Sequence, residues 1–232
     1  MQGIKERGKS VKEMGLTTTI IKMTDAYEYQ SFYKSIDNLK ILDCRNIEGT
    51  RCYLDNLAKE QLLELMEAAL SYGIHFIDSG NYHYLTLLWL SKIQTDFNLI
   101  LFDHHPDNQP PSFGMITSCG GWVLEASENL SHMKNVYTFG VGESPDISSI
   151  STDVPLYISI DKDVLSEDYA ITDWDQGTMT ISEMLDIISK LATDRKIIGV
   201  DICGDSGESA DNGACINNQI NQTLFDFLSN FF

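Results

Sequence analysis

One stretch decides the fold of this chain and points to its chemistry: Leu99-Ile100-Leu101-Phe102-Asp103-His104-His105-Pro106-Asp107. Four apolar residues in a row are typical of a buried strand in a parallel sheet, and such sheets bind ligands just beyond the carboxyl ends of their strands. Asp103, His105 and Asp107 stand two apart, so an extended backbone turns all three side chains to one side. Their oxygen and nitrogen donors suit a divalent metal such as Mn²⁺. Taken alone, the segment is equally compatible with a polar loop that contains two histidines.

A second segment repeats this arrangement further along the chain. The apolar run Pro155-Leu156-Tyr157-Ile158-Ser159-Ile160 ends in Asp161-Lys162-Asp163. Two carboxylates held close together repel each other, so that one tends to stay protonated, and a shared cation removes the conflict. The alternative is a solvated turn in which surface acids flank Lys162.

Together the two segments resemble the ureohydrolase family of arginase, agmatinase and formimidoylglutamase. That family has Asp-x-His-x-Asp after one strand and Ser-x-Asp-x-Asp after a later one, which correspond here to residues 103–107 and 159–163. Its third motif, Gly-Gly-Asp-His-Ser, is similar in degenerate form to Gly80-Asn81-Tyr82-His83-Tyr84-Leu85-Thr86. The resemblance covers the chain from about Ile74 to its end, and it implies six metal ligands: His83, Asp103, His105, Asp107, Asp161 and Asp163.

The family's chemistry follows from a pair of metal ions held by shared carboxylates. The resemblance implies two Mn²⁺ ions, with Zn²⁺ or another divalent metal as an alternative, and a bridging water acidified to hydroxide. That hydroxide would attack an sp² carbon bonded to nitrogen, and Asp107 would hold the nucleophile through its second oxygen. The expected activity is hydrolysis of a linear amidine or guanidine.

Two positions depart from the family pattern and make this chain a divergent member. Cys119 stands at or near the position of a proton-shuttling histidine, where it is either a reactive thiol or, as we favour, a small buried residue. Gly204 occupies the position of a glutamate that binds the substrate's guanidinium; Asp205, one residue on, could replace it or merely cap a loop. We therefore expect a substrate other than arginine.

Two further hypotheses stay open. The first is a hydrolase like the histone-deacetylase-like amidohydrolases, which share this fold and use one Zn²⁺ with an Asp-His-Asp set. The second is a non-catalytic relative that has kept the metal site. The presence of His83, Asp107 and Asp163 favours the two-metal site over the mononuclear one.

Composition limits the partners. The net charge of −18 over 232 residues argues against nucleic acid or an anionic membrane, since both need a basic surface, and it is compatible with a cationic small-molecule substrate. Five scattered cysteines and no recognisable secretory segment predict free thiols in the cytoplasm. The chain is short for the family, so we expect trimmed loops, and a homo-oligomer remains open.

Alternating strands and helices predict a three-layer α/β/α fold with a mostly parallel sheet covered on both faces. The family's fold, shared with the deacetylases, implies about eight strands. We expect one domain over residues 16–232 and, over residues 1–15, either disorder or the remnant of a tag or leader. Thr180 and Glu183 form the pattern of a capping box at the start of a helix.

Overall fold

The structure is a computed structural model that describes residues 15–111, 114, 116–207 and 212–232. The expectation for the N-terminal segment therefore falls almost wholly outside the described residues. The strands are β1 (Thr18–Lys22), β2 (Leu39–Asp43), β3 (Tyr53–Leu54), β4 (Ile74–Phe76), β5 (Phe97–Phe102), β6 (Thr117–Ser118), β7 (Met133–Phe139), β8 (Leu156–Asp161) and β9 (Ile197–Cys203). The α-helices are α1 (Asn56–Met66), α2 (Leu85–Leu90), α3 (Trp122–Asn129), α4 (Ile181–Ala192) and α5 (Asn212–Leu228).

The central sheet has seven strands in the order β2-β1-β4-β9-β8-β5-β7, and every pair in it is parallel. The α/β/α prediction is confirmed, with seven strands in the described sheet where about eight were expected. The short strands β3 and β6 pair antiparallel in a separate ribbon.

Two apolar cores lie on opposite faces of this sheet. Along β5, Leu99 and Leu101 belong to one core, whereas Ile100 and Phe102 belong to the other, as the alternation of a strand requires. The first core is covered by α1, α2 and α3, and the second by α4 and α5. Burial on both faces explains why β5 and β8 are largely apolar and buried at every position.

The capping box predicted at α4 is confirmed. The Thr180 hydroxyl accepts a hydrogen bond from the Glu183 backbone N–H at 3.2 Å, and the Glu183 carboxylate accepts one from the Thr180 N–H at 2.8 Å. The two bonds satisfy backbone donors that would otherwise lack a partner at the helix start.

Four neighbouring strands position the candidate site. β4, β9, β8 and β5 lie side by side and run in one direction, so their carboxyl ends meet at the same edge. His83 follows β4, Cys203 ends β9, Asp161 ends β8 with Asp163 shortly after it, and Asp103 to Asp107 follow β5. No helix in the described part of the chain is long and apolar enough to cross a membrane.

Candidate metal centre

The structure brings the six sequence-predicted ligands together beyond these strand ends. They form two sets of three around a common carboxylate: His83, Asp103 and Asp107, which we call the inner group, and Asp103, His105 and Asp163, which we call the outer group. In each group the potential ligand atoms lie within 4.8 Å of one another. Asp161 completes the set, because its Oδ2 lies 3.5 Å from His83 Nδ1.

The inner group surrounds one ring nitrogen of His83. Nδ1 lies 3.1 Å from Asp107 Oδ2 and 3.2 Å from Asp103 Oδ2. The His83 side chain is 1% exposed, and its ring packs at a tilt on Trp122 with centroids 4.8 Å apart. The indole Nε1 of Trp122 donates a hydrogen bond of 2.8 Å to Asp107 Oδ2. His83 and Asp103 of the inner group are therefore shielded from solvent, whereas Asp107 also reaches the surface.

A buried hydrogen-bond network sets the orientation of His83. Its Nε2 lies 3.0 Å from Ser159 Oγ, and the Ser159 hydroxyl itself donates to Asp201 Oδ1 at 2.6 Å. Since Ser159 has a single proton to give, Nε2–H of His83 is the donor to Ser159. In the neutral ring Nδ1 then carries the lone pair that faces the carboxylates, as in metal-binding histidines whose second nitrogen is anchored by a hydrogen bond.

Two atoms at the middle of the inner group lack a hydrogen-bond partner in the described part of the chain and are suited to bind a cation. His83 Nδ1 and Asp103 Oδ2 are buried and make no hydrogen bond to any described residue, although they are only 3.2 Å apart. Buried polar atoms are nearly always paired, so an orphaned pair calls for an explanation. A divalent ion bound by both atoms would supply one, and the donor set suits such an ion.

The outer group faces the surface. His105 Nδ1 lies 2.8 Å from Asp163 Oδ2 and 3.7 Å from Asp103 Oδ1, and its Nε2 lies 3.2 Å from the exposed carboxylate of Asp175. The His105 side chain is 30% exposed. Asp103 thus presents one oxygen to each group, as expected of a bridging ligand.

Burial and crowding raise the pKa values of several carboxylates in the centre. Burial raises the pKa of Asp161 well above its ordinary value, and repulsion from Asp163 adds to the effect. Burial likewise raises the pKa of Asp107 to about 6 and raises the pKa of Asp163. These carboxylates are held together at a cost that protons or cations must offset.

The pKa values of the two histidines are raised as well, and here the cause is the nearby acids and not burial. Burial alone would lower the pKa of His83, but the nearby acidic groups Cys203, Asp103 and Asp107 reverse this and raise it well above its usual range. Contacts with Asp103 and Asp163 raise the pKa of His105 to about 11. Both rings therefore sit in a strongly negative field, which is the electrostatic property that a cation site requires.

The two other sequence-predicted catalytic residues, Asp205 and Cys119, are both buried. Asp205 is fully buried, and its Oδ2 forms an ion pair of 2.8 Å with Lys162 Nζ. Gln30 and Asn221 donate further hydrogen bonds to it, at 2.7 and 3.2 Å. The carboxylate of Asp205 is thus committed to a buried network, and the residue is not among those that line the cavity beside the centre; we do not place it at the substrate.

Cys119 is buried at the wall of that cavity. Burial raises the pKa of its thiol to about 12, which keeps the sulfur protonated near neutral pH and unreactive. The reading of Cys119 as a small buried residue agrees with this placement, whereas the reading as an activated thiol does not.

At Gly204 the backbone conformation and the close neighbours exclude a side chain such as the glutamate that the family resemblance implies at this position. Its φ is +87°, a left-handed conformation that side chains rarely adopt, and an added Cβ would overlap Asp161 Oδ1 and the Lys162 backbone nitrogen. A residue with a side chain would displace Asp161. The glycine thus belongs to the geometry of this centre.

A cavity of about 300 Å³ opens beside the centre. Its wall includes His105, Asp107, Asp161 and Asp163, and the half-exposed rings of Tyr53 and Trp174 lie at its edge. No lysine or arginine is among the described residues that line it. The cavity is large enough for a small molecule and gives it access to the outer group.

Sequence reasoning missed three residues that shape the centre: Cys203, Trp122 and Asp175. Cys203 could have been found, because it follows Asp201 by two at the carboxyl end of a predicted strand and so shares its side of the sheet. Trp122 and Asp175 come from loops and a helix start, where spacing gives no indication of direction.

Comparison of the fold with solved structures gives ureohydrolases. They include an arginase from Medicago truncatula (TM-score 0.64, 14% identity, 94% of this chain and 89% of that one) and the proclavaminate amidino hydrolase of Streptomyces clavuligerus (TM-score 0.63, 15% identity, 94% and 92%). A third is the formimidoylglutamase of Bacillus subtilis (TM-score 0.60, 14% identity, 93% and 86%). The chain has the ureohydrolase fold, and the resemblance drawn from its motifs is confirmed at that level.

Sequence comparison leads to a nearer relative. An uncharacterized protein of Thermotoga maritima is 32% identical over 200 residues, which cover 80% of this chain and 78% of that protein. The chain belongs to the same protein family as this relative. No family model matches the sequence.

Proposed function

We propose that this protein is a metal-dependent hydrolase that cleaves a C–N bond in a linear (non-ring) amidine or guanidine group of a small molecule other than arginine. The observation that carries the proposal is the pairing of His83 Nδ1 and Asp103 Oδ2, two buried atoms that lack a hydrogen bond at the point where two ligand groups meet. The ureohydrolase fold and the adjacent cavity support it.

Two divalent ions, with Mn²⁺ as the first expectation, would be held one in each group, with Asp103 contributing to both groups and Asp161 lying beside His83. Such a pair, when bound, supplies a water acidified to hydroxide and polarises the bond under attack. The two groups and the neighbouring Asp161 together contain four aspartates, so the formal charge of two divalent ions matches that of the ionised carboxylates. Zn²⁺ or another divalent metal is the alternative.

Asp107 is the residue we place nearest the reaction. Its Oδ2 faces His83 and accepts the hydrogen bond from Trp122, which leaves Oδ1 to hold and orient an attacking nucleophile. The residue has a φ of +44°, a left-handed conformation that costs energy and is concentrated at functional sites. Trp122 and the turn together fix the direction of the carboxylate toward the cavity that it lines.

The cavity supports a compact substrate without an acidic group. A carboxylate would find no lysine or arginine among the described residues of the wall, and Gly204 offers no side chain to receive a guanidinium. The flat rings of Tyr53 and Trp174 at the edge favour a planar or partly apolar group instead. Cationic and neutral amidines both meet these conditions.

The test is a screen of linear guanidines, amidines and amides with the protein loaded with Mn²⁺, and in parallel with Zn²⁺ or Co²⁺. We expect release of ammonia or urea from at least one compound and its loss in Asp107→Ala. The matched control is Asp96→Ala, which removes an exposed aspartate that contacts His132 and Lys134 far from the cavity and should leave turnover unchanged. If the loaded protein turns over no compound, or if Asp107→Ala retains full activity, the proposed activity is wrong.

A further inference from the structure

Cys203 places a sulfur against the inner group. It is fully buried at the carboxyl end of β9, and its Sγ lies 3.0 Å from Asp161 Oδ2. The sheet register pairs Cys203 directly with Asp161, so the contact is built into the backbone. Sγ, a carboxylate oxygen of Asp161 and a ring nitrogen of His83 all lie within 4.8 Å of one another.

A second observation, the unpaired ring nitrogen of His83, indicates that the Cys203 sulfur lies next to a position suited to a metal ion. His83 is buried, its Nε2 is committed to Ser159, and its Nδ1 makes no hydrogen bond although Asp161 Oδ2 is 3.5 Å away. Asp161 Oδ2 thus lies between a thiol and an unpaired imidazole nitrogen. Three donors of different chemistry, nitrogen, oxygen and sulfur, converge on one buried point.

The glycine after Cys203 makes this approach possible. Gly204 turns with a positive φ and lies so close to Asp161 and Lys162 that a Cβ there would overlap them. A larger residue would push β9 away from the end of β8 and carry the sulfur with it. The position that lacks the family's glutamate is therefore the one that lets the preceding cysteine reach the centre.

We propose that Cys203 is a ligand of the metal ion in the inner group and makes the two halves of the centre select different metals. This inference rests on the proposed metal centre. Thiolate favours Zn²⁺ or Co²⁺, whereas the carboxylates and single imidazole of the outer group suit Mn²⁺. The centre would then hold a zinc-class ion in the buried half and Mn²⁺ beside the cavity.

The competing explanation is that the Cys203 thiol only donates a hydrogen bond to Asp161. A thiol that stays protonated gives no metal–sulfur bond, so spectroscopy separates the two without any measurement of activity. X-ray absorption at the zinc edge on the full-length wild-type protein should show a sulfur neighbour at about 2.3 Å. A shell made only of nitrogen and oxygen neighbours would overturn the proposal.

Cobalt gives an independent test with variants. The wild-type protein titrated with Co²⁺ should develop an intense near-ultraviolet sulfur-to-cobalt charge-transfer band that Cys203→Ser lacks. Cys119→Ser is the matched control, because Cys119 is also buried near the centre but belongs to none of the ligand groups; it should keep the band. Zinc affinity should fall in Cys203→Ser by at least the roughly 10–100-fold that loss of a residue supporting a metal ligand costs, and Mn²⁺ affinity should fall less.

The possible outcomes distinguish failure of the proposed sulfur ligand from failure of the proposed metal centre. A band that persists in Cys203→Ser, or a cobalt-loaded wild-type protein without the band, contradicts the sulfur ligand and leaves the metal centre standing. A wild-type protein that takes up no cobalt, zinc or manganese contradicts the centre itself. If Cys203→Ser does not fold, the wild-type absorption measurement still decides the question.

Discussion

The inner and outer groups use the same kinds of side chain in opposite surroundings. His83 is 1% exposed and anchored through Ser159 to the buried Asp201, whereas His105 is 30% exposed and anchored to Asp175, which is itself 78% exposed. Preorganised ligands in a dry environment hold an ion tightly, and a solvated partner contributes little. On the proposed function, the difference predicts that an ion in the inner group is held more tightly than one in the outer group, which faces the cavity together with Asp107.

Removing the shared carboxylate should have the largest effect. Asp103 reaches His83 with one oxygen and His105 with the other, so Asp103→Ala should reduce metal content from about two ions per chain to less than one. Asp163→Ala, which removes a ligand of the outer group alone, should leave about one. Elemental analysis after dialysis measures both, and equal losses in the two variants would contradict the division into groups.

The next effect concerns the ion pair beside the inner group. Asp205→Ala leaves Lys162 buried without its partner, and breaking such a pair costs about 3–5 kcal/mol in the free energy of unfolding. Urea denaturation checks this. Asp186→Ala, which removes an exposed i,i+4 partner of Lys190, is the control and should change stability by less than about 1 kcal/mol. If Asp205→Ala keeps the stability of the wild-type protein but binds substrate less tightly, Asp205 belongs to the substrate site.

The two orienting carboxylates allow a direct contrast between the groups. Asp201→Asn loosens the Ser159 contact that anchors His83, and we expect metal affinity of the inner group to fall by about 10–100-fold. Asp175→Asn, in solvent, should change affinity of the outer group only a few-fold. Competition with a chromophoric chelator measures both constants, and a larger effect for Asp175→Asn would reverse the assignment.

Metal binding should release protons, because the histidines and acids of the centre hold them otherwise. The pKa of His105 is raised to about 11, so at neutral pH its ring is protonated and must lose that proton to bind a metal. The pKa of Asp107 is raised to about 6, which adds a second proton below that pH. Apparent affinity should therefore fall on acidification, by roughly tenfold per pH unit for each proton released.

Calorimetry in two buffers of different ionisation enthalpy measures this release. We expect the binding enthalpy to differ between the buffers at pH 7 and the difference to shrink in His105→Asn. A binding enthalpy that is the same in both buffers would show that metal binding releases no proton and would contradict the raised pKa of His105.

Much of the centre could be predicted from the sequence because strand ends are local features. A short apolar run followed by acids two apart fixes both the end of a strand and the side to which its ligands point, and Asp103, Asp161 and Asp163 follow from that rule. The parallel sheet then brings such ends to one edge, so their convergence follows from the fold class.

The remaining features depend on contacts that spacing does not encode. The contacts of Asp205 could not be predicted, because its partners Lys162, Gln30 and Asn221 lie far away in the chain and meet it only in the folded core. Trp122 approaches Asp107 from the start of a helix, and Asp175 approaches His105 from a loop. Hydrophobic periodicity carries no information on either approach.

The most direct test of the two-group centre is anomalous X-ray diffraction from crystals of the wild-type protein grown with Mn²⁺, recorded on both sides of the manganese edge and repeated with Zn²⁺. The account predicts two metal peaks in each chain, one between His83 and Asp103 and the other between Asp103 and His105. A single peak, or peaks only at surface carboxylates away from these residues, would contradict it.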